Sequence, residues 1–254
     1  MSRKFPWYDS GWLSRFVSAK EIVRRHYPER LGEFVEAFDI LRTPENFREK
    51  QIDKPLREDA FQKALDTIRA IPADRLNKDE FLFMGRHKAY ELPLFAQIQE
   101  AFTDRVSEEV NEQVEPSYHF LSLYSGIGSL SPHLDAPLAK WTLDLCLEQS
   151  APWPIHFSQV VPWPEACPYG IDDWRNEIKN DPALRFYSYS LEPGNAIIFS
   201  GSSQWHYREP IPQRHEKNFC HLVFFHFIPK GTKHLVYPAR WAAFFGMPEL
   251  SGIN

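Results

Sequence analysis

Three residues stand out for the chemistry their types permit. His133 and Asp135 lie two apart in the run Ser131-Pro-His-Leu-Asp135, and His206 lies far downstream. Neutral imidazole and carboxylate both offer lone pairs to a divalent metal ion. Two imidazoles and one carboxylate on one face of an octahedral ion leave three positions open, the arrangement that non-haem Fe(II) uses when a co-substrate and O2 must both reach the metal. A His-x-Asp pair alone means little, because ten histidines in 254 residues produce about 0.5 such pairs by chance. The surroundings add weight. The run 118–124 reads as a strand, Gly126 and Gly128 loosen the chain, Pro132 stiffens the approach to His133, and strand character resumes at Trp141. The pair therefore sits on a loop at a strand end, where side chains converge on a cavity. His206 follows a second strand-and-turn unit, from Pro193-Gly194-Asn195 to Phe199 and then Ser-Gly-Ser-Ser. An adjacent strand can bring it across to the pair.

The elements that must position these residues divide the chain into two textures. From Ser117 onward, short apolar or alternating runs at 118–124, 141–147, 154–160, 185–191, 195–200 and 219–228 are separated by Gly, Pro and Ser. They read as strands of a sandwich or barrel. Before them, 12–40, 56–71 and 93–114 carry apolar residues at helical spacing. The last is the clearest: Leu94, Ile98, Phe102, Val106 and Val110 recur every four residues on one face, and Pro116 ends the run. The segment 161–184 is too rich in Pro and charge for a central strand and reads as an insertion with a short helix near 171–179. Trp241, Phe244 and Phe245 lie on a helical stretch of the tail that caps a core. The expected organisation is one catalytic domain over 1–254, with a mainly helical part at 1–116, a β core at 117–228 and a cap at 229–254.

The composition narrows the function classes. With 29 Lys+Arg against 34 Asp+Glu, the net charge of −5 argues against broad neutralisation of nucleic-acid phosphates. No run of 18 apolar residues is long enough for a membrane span, and the N-terminus lacks the apolar segment of a secretory signal. Cys146, Cys167 and Cys220 are too widely spaced for a disulfide framework or a zinc knuckle, so a reducing cytoplasm is the simplest compartment.

Taken in order, Tyr124-Ser-Gly126, His133-Leu-Asp135, Trp141-Thr-Leu143, Pro193-Gly194-Asn195-Ala-Ile-Ile-Phe199, His206 and a basic residue on the last strand resemble the Fe(II)/2-oxoglutarate-dependent dioxygenases, in their prolyl-hydroxylase-like branch. The resemblance covers roughly residues 117–228. It implies an α+β fold with a double-stranded β-helix (jelly-roll) core and N-terminal helices packed against it. It also implies Fe(II) held by His133, Asp135 and His206, and 2-oxoglutarate as co-substrate. Chelation of the metal by the keto acid end leaves the remote carboxylate in need of a buried cation. Family members place an Arg or Lys about ten residues beyond the distal His, so Lys217 is favoured here, with His221 as a second contact and Arg214 as a fallback if a bulge shifts the register. Tyr124 either hydrogen-bonds the co-substrate or fills the barrel.

The implied reaction consumes O2 and 2-oxoglutarate, releases succinate and CO2, and hydroxylates an unactivated C–H of a small metabolite such as an amino acid or natural-product intermediate. Asp135 favours hydroxylation, since related halogenases carry a small residue in its place. Two alternatives stay open: a cupin-like metal enzyme that does not use 2-oxoglutarate, and a non-enzymatic jelly-roll binding module. Elsewhere the plainer readings lead. Arg208 is a surface cation, Trp141, Trp153, Trp163 and Trp205 are core fillers, and His119, His156 and His226 are hydrogen-bonded core or surface histidines.

Overall fold

The alternating runs pair into two antiparallel sheets, in a computed structural model that describes residues 11–163, 174–212 and 218–253. The larger sheet has the strand order β1 (Lys50–Ile52), β8 (Ala196–Phe199), β5 (Trp141–Gln149), β10 (Cys220–Pro229), β3 (Val114–Tyr124) and β2 (Arg86–Tyr90). The smaller has the order β4 (Leu130–His133), β9 (His206–Arg208), β6 (Ile155–Ser158) and β7 (Phe186–Tyr189). From β3 to β10 the chain crosses repeatedly between the sheets, which is the winding of a double-stranded β-helix. The expected α+β class and jelly-roll core are what the chain adopts.

Period-2 alternation decides what each strand shows to each side. On β10, Val223, Phe225 and Phe227 point out towards helices, while Cys220, Leu222, Phe224 and His226 point between the sheets. The outer face is covered by α3 (Glu58–Arg69) and α5 (Pro93–Val110). Phe95, Ile98, Phe102 and Val106 of α5 are buried there, each contributing about 1.5–3 kcal/mol by leaving water. The helix stops short of the expected residue 114 because Asn111 takes a left-handed conformation with φ 51°, and β3 begins at Val114.

The inter-sheet core is apolar, with Phe157, Ile197, Phe199, Leu222 and Cys146 packed together. Cys146 and Cys220 are buried free thiols, and Cys167 lies outside the described residues. A separate aromatic cluster joins the start of the described chain to its end. Trp12 and Phe16 of α1 (Gly11–His26) and Phe34 of α2 (Leu31–Glu36) meet Trp241 and Phe245 of α8 (Trp241–Phe245), behind α7 (Lys233–Val236). Phe244 stays half exposed.

Two strands depart from the sequence expectation in ways that matter for the site, while the short helix expected near 171–179 is present as α6. β1 and β2 arise within the part read as mainly helical and form the two edges of the large sheet. Too short and polar to show alternation, they are recruited by pairing with β8 and β3. α6 (Trp174–Asn180), within the insertion, sets Ile178 against Leu134 and Trp205, directly behind the His-x-Asp loop. Among the described residues, no helix is long and apolar enough to cross a membrane.

Candidate metal centre

Like β1 and β2, β4 and β9 were not resolved in the sequence reading, and they carry the site. They pair antiparallel with His133 directly opposite His206, so register alone places the two imidazoles together, ring centroids 4.0 Å apart. His133 ends β4, and the chain stays extended enough that Asp135 points the same way while Leu134, fully buried, points back into the cluster with Ile178 and Trp205. The backbone N–H of Asp135 donates to the carbonyl of Gly201 at 2.8 Å. Gly201 has no substitute here: a Cβ at that position would lie 2.5 Å from Asp135 Oδ2 and 2.6 Å from the Ala139 carbonyl oxygen.

The polar atoms of this cluster fit a cation, and no donor among the described residues lies between them. Nδ1 of His133 lies 2.9 Å from the Ser131 carbonyl oxygen, and Nδ1 of His206 lies 3.0 Å from that of Gln204. A carbonyl only accepts, so each ring carries its proton on Nδ1 and turns a lone pair outward on Nε2. Those Nε2 atoms sit 3.5 and 3.7 Å from the two carboxylate oxygens of Asp135. One ligand atom from each of the three residues falls within 4.8 Å of the others. Three acceptors thus face one another with no donor between them, a repulsive arrangement that a divalent cation relieves. Burial, reinforced by the proximity of His133, pushes the His206 pKa well below the usual imidazole value, which keeps it a neutral ligand.

The triad opens into a cavity of about 60 Å³. Tyr118, Phe120, Leu130, Ile155, Phe199 and Phe224 form its apolar walls, and Thr142, His226 and Arg86 add polar groups. His226 exceeds the plain reading given to strand histidines. Its Nδ1 is 3.0 Å from Thr142 Oγ1, its Nε2 is buried with no partner among the described residues, and burial lowers its pKa to about 4. Arg208 is a correction: it is 3% exposed, not a surface cation. Its Nη2 donates to Asp144 Oδ2 at 2.8 Å, its Nη1 donates to the Trp153 carbonyl, and its guanidinium stacks on the Trp153 ring. Burial raises Asp144 to about 6 despite that arginine.

The residues expected to anchor a co-substrate fare differently from the metal set. Arg214 and Lys217 lie outside the described residues. His221 occupies the outward-facing register of β10, with Nδ1 3.0 Å from Glu148 Oε1, and is not among the residues lining the cavity. Burial lowers its pKa, against the pull of Glu148. Tyr124 is buried, and its hydroxyl accepts a 2.7 Å hydrogen bond from Arg86 Nη1. Arg86 went unread because a charged residue in Gly-Arg-His-Lys carries no strand signal. Gly85 places it: at φ 66° the chain turns out of α4 (Phe81–Met84) into β2, and a Cβ there would lie 2.5 Å from the Ile127 backbone.

No family model and no curated protein sequence matches the chain. Solved structures do. The epimerase SnoN from nogalamycin biosynthesis, in complex with Fe3+, alpha ketoglutarate and nogalamycin RO, superposes with a TM-score of 0.54 at 10% identity, covering 78% of this chain and 88% of that one. HygX from Streptomyces hygroscopicus, with nickel, 2-oxoglutarate and hygromycin B bound, gives 0.52 at 11% identity over 78% and 86%. A 2OG-Fe(II) oxygenase family protein from Burkholderia pseudomallei gives 0.51 at 9% identity over 76% and 89%. The chain shares their fold. Within this double-stranded β-helix, His133 ends one small-sheet strand, Asp135 follows it and His206 opens the neighbouring strand, so the candidate ligand set lies between the sheets where the cavity opens.

Proposed function

We propose that the protein is an Fe(II)- and 2-oxoglutarate-dependent oxygenase that hydroxylates an unactivated C–H of a small-molecule metabolite. The observation that carries this reading is the convergence of His133 Nε2, His206 Nε2 and an Asp135 oxygen, without any donor, at the mouth of an inter-sheet cavity. Iron(II) with 2-oxoglutarate and O2 supplies the oxidising chemistry when bound, and succinate and CO2 leave. The chain's own residues do the rest. Backbone carbonyls at Ser131 and Gln204 fix both imidazole tautomers, so the rings present lone pairs without reorganising. Gly201 holds the Asp135 backbone and leaves room for its carboxylate. Phe120, Phe199 and Phe224 keep the cavity dry, which strengthens the electrostatic interactions inside it. The structural neighbours with hygromycin B and nogalamycin RO bound support a small-molecule substrate.

Anaerobic titration of the protein with Fe(II) and then 2-oxoglutarate tests the reading. A weak visible charge-transfer band and, on admission of O2, succinate are expected, and His206→Ala loses both along with metal binding. Metal uptake with no effect of 2-oxoglutarate returns the function to a cupin-like metal enzyme. Metal content unchanged in His206→Ala returns it to a binding module.

A further inference from the structure

We infer that Arg86, on the edge strand β2, binds the remote carboxylate of a dicarboxylic co-substrate whose other end meets His133, Asp135 and His206. The inference rests on the function proposed above and names the group that holds the co-substrate's far end. Arg86 lines the same cavity as the three metal-binding candidates. The even-numbered, inward positions of β10 that precede His226 are Cys220, Leu222 and Phe224, so that strand offers no cation to the cavity among its described residues.

Charge separates Arg86 from the other buried arginine. Arg208 is matched one to one by Asp144. Among the described residues, Arg86 has one carboxylate partner, Glu80, and shares it with Lys88, whose Nζ is 2.6 Å from Glu80 Oε1. Two cations therefore divide one anion, and a positive charge remains beside the cavity for an incoming carboxylate. The guanidinium is also held in place before any ligand arrives. Nε donates to Glu80, Nη1 donates to Tyr124 at 2.7 Å and to Ser122 at 3.3 Å, and the group lies 5.6 Å from the Phe120 ring centroid. Nη2 makes no hydrogen bond among the described residues, leaving a donor edge for the ligand. A buried, pre-oriented arginine with spare charge selects a carboxylate over a neutral chain end, because the alternative leaves its donors unpaired.

The test needs no turnover. The full chain, loaded with Ni(II), is titrated calorimetrically with 2-oxoglutarate and with 2-oxovalerate, which has the same carbon chain and lacks the remote carboxylate. The wild type is expected to prefer 2-oxoglutarate by about 10- to 100-fold. Arg86→Gln brings that ratio close to one while leaving Ni(II) uptake and 2-oxovalerate binding in place, and Lys217→Gln retains the preference. If Arg86→Gln fails to fold, as read by circular dichroism, Arg86→Lys is measured instead and the ratio falls several-fold as the planar fork is lost. A wild-type preference that survives in Arg86→Gln, or in Arg86→Lys where that variant replaces it, overturns the inference alone, as does loss of the preference in Lys217→Gln. Equal binding of the two acids by the wild type does the same. Wild-type protein that takes up Ni(II) and binds neither acid overturns the proposed function and this inference together.

Discussion

Arg86 and Arg208 invite comparison because they share so much. Both are buried, both stand on strands that border the inter-sheet space, and both stack on an aromatic ring. They differ in what surrounds the charge. Arg208 is paired with Asp144 and a backbone carbonyl, so it and its partner form a neutral unit that does not line the cavity, even though its Nε makes no hydrogen bond among the described residues. Arg86 stands at the sheet edge, lines the cavity and divides Glu80 with Lys88. A matched buried pair offers a ligand no net charge, whereas a shared carboxylate leaves charge available. Burial alone therefore does not mark a binding arginine. The balance of its immediate partners does.

The largest effect that tests this contrast is on stability. Arg208→Met leaves Asp144 buried and unpaired and should cost about 3–5 kcal/mol in urea unfolding. Arg86→Gln leaves Glu80 paired with Lys88 and deprives the buried Tyr124 hydroxyl of one donor, so its loss should stay at about 1–2 kcal/mol. Equal losses would remove the distinction between the two sites.

A smaller effect lies in the pH dependence. Burial raises Asp144 to about 6, so its contribution to stability is fully present below about pH 4 and is lost as the pH rises through 6. His226, lowered to about 4, runs the other way: its contribution is present above about pH 6.5 and is lost as the pH falls through 4. The two slopes oppose each other in the wild type. Asp144→Asn removes one, so the metal-free variant should lose stability more steeply on acidification between pH 6 and 4 than the metal-free wild type. Parallel profiles from urea unfolding at each pH would show that Asp144 does not titrate in that window.

The smallest effect is on binding. Glu80→Gln releases both cations and should tighten 2-oxoglutarate on the Ni(II)-loaded protein by about two- to five-fold, at a stability cost of about 1–3 kcal/mol for leaving Arg86 without its carboxylate. Weaker binding would mean that Glu80 serves Arg86 by aiming it and not by restraining its charge.

Much of the candidate metal-binding set was legible in the sequence, because His133 and Asp135 are two residues apart and period-2 geometry sends them to the same side. His206 was legible as a residue type at the right place after a strand. Its directness of pairing was not: β4 and β9 hold four and three residues, and Pro132 breaks the pattern of the first. The alternation of 219–228 was clear enough to forecast β10, yet that same alternation turns His221 outward. Arg86 was beyond reach for a different reason. Its neighbours Gly85, His87 and Lys88 have no strand preference, and β2 exists because β3 offers it an edge to pair with, a tertiary effect that no local window contains. Arg208 was misread for lack of its partner, since Asp144 lies 64 positions away and only the fold brings them together.

Leu134 sits between the two motif ligands and is wedged against Ile178 of α6 and Trp205, the neighbour of His206. All three proposed ligands therefore flank side chains that share one small apolar joint. Whatever loosens α6 slackens the whole ligand set at once, like a single hinge pin serving two leaves. α6 thus braces both halves of the candidate set through a wedge of three side chains.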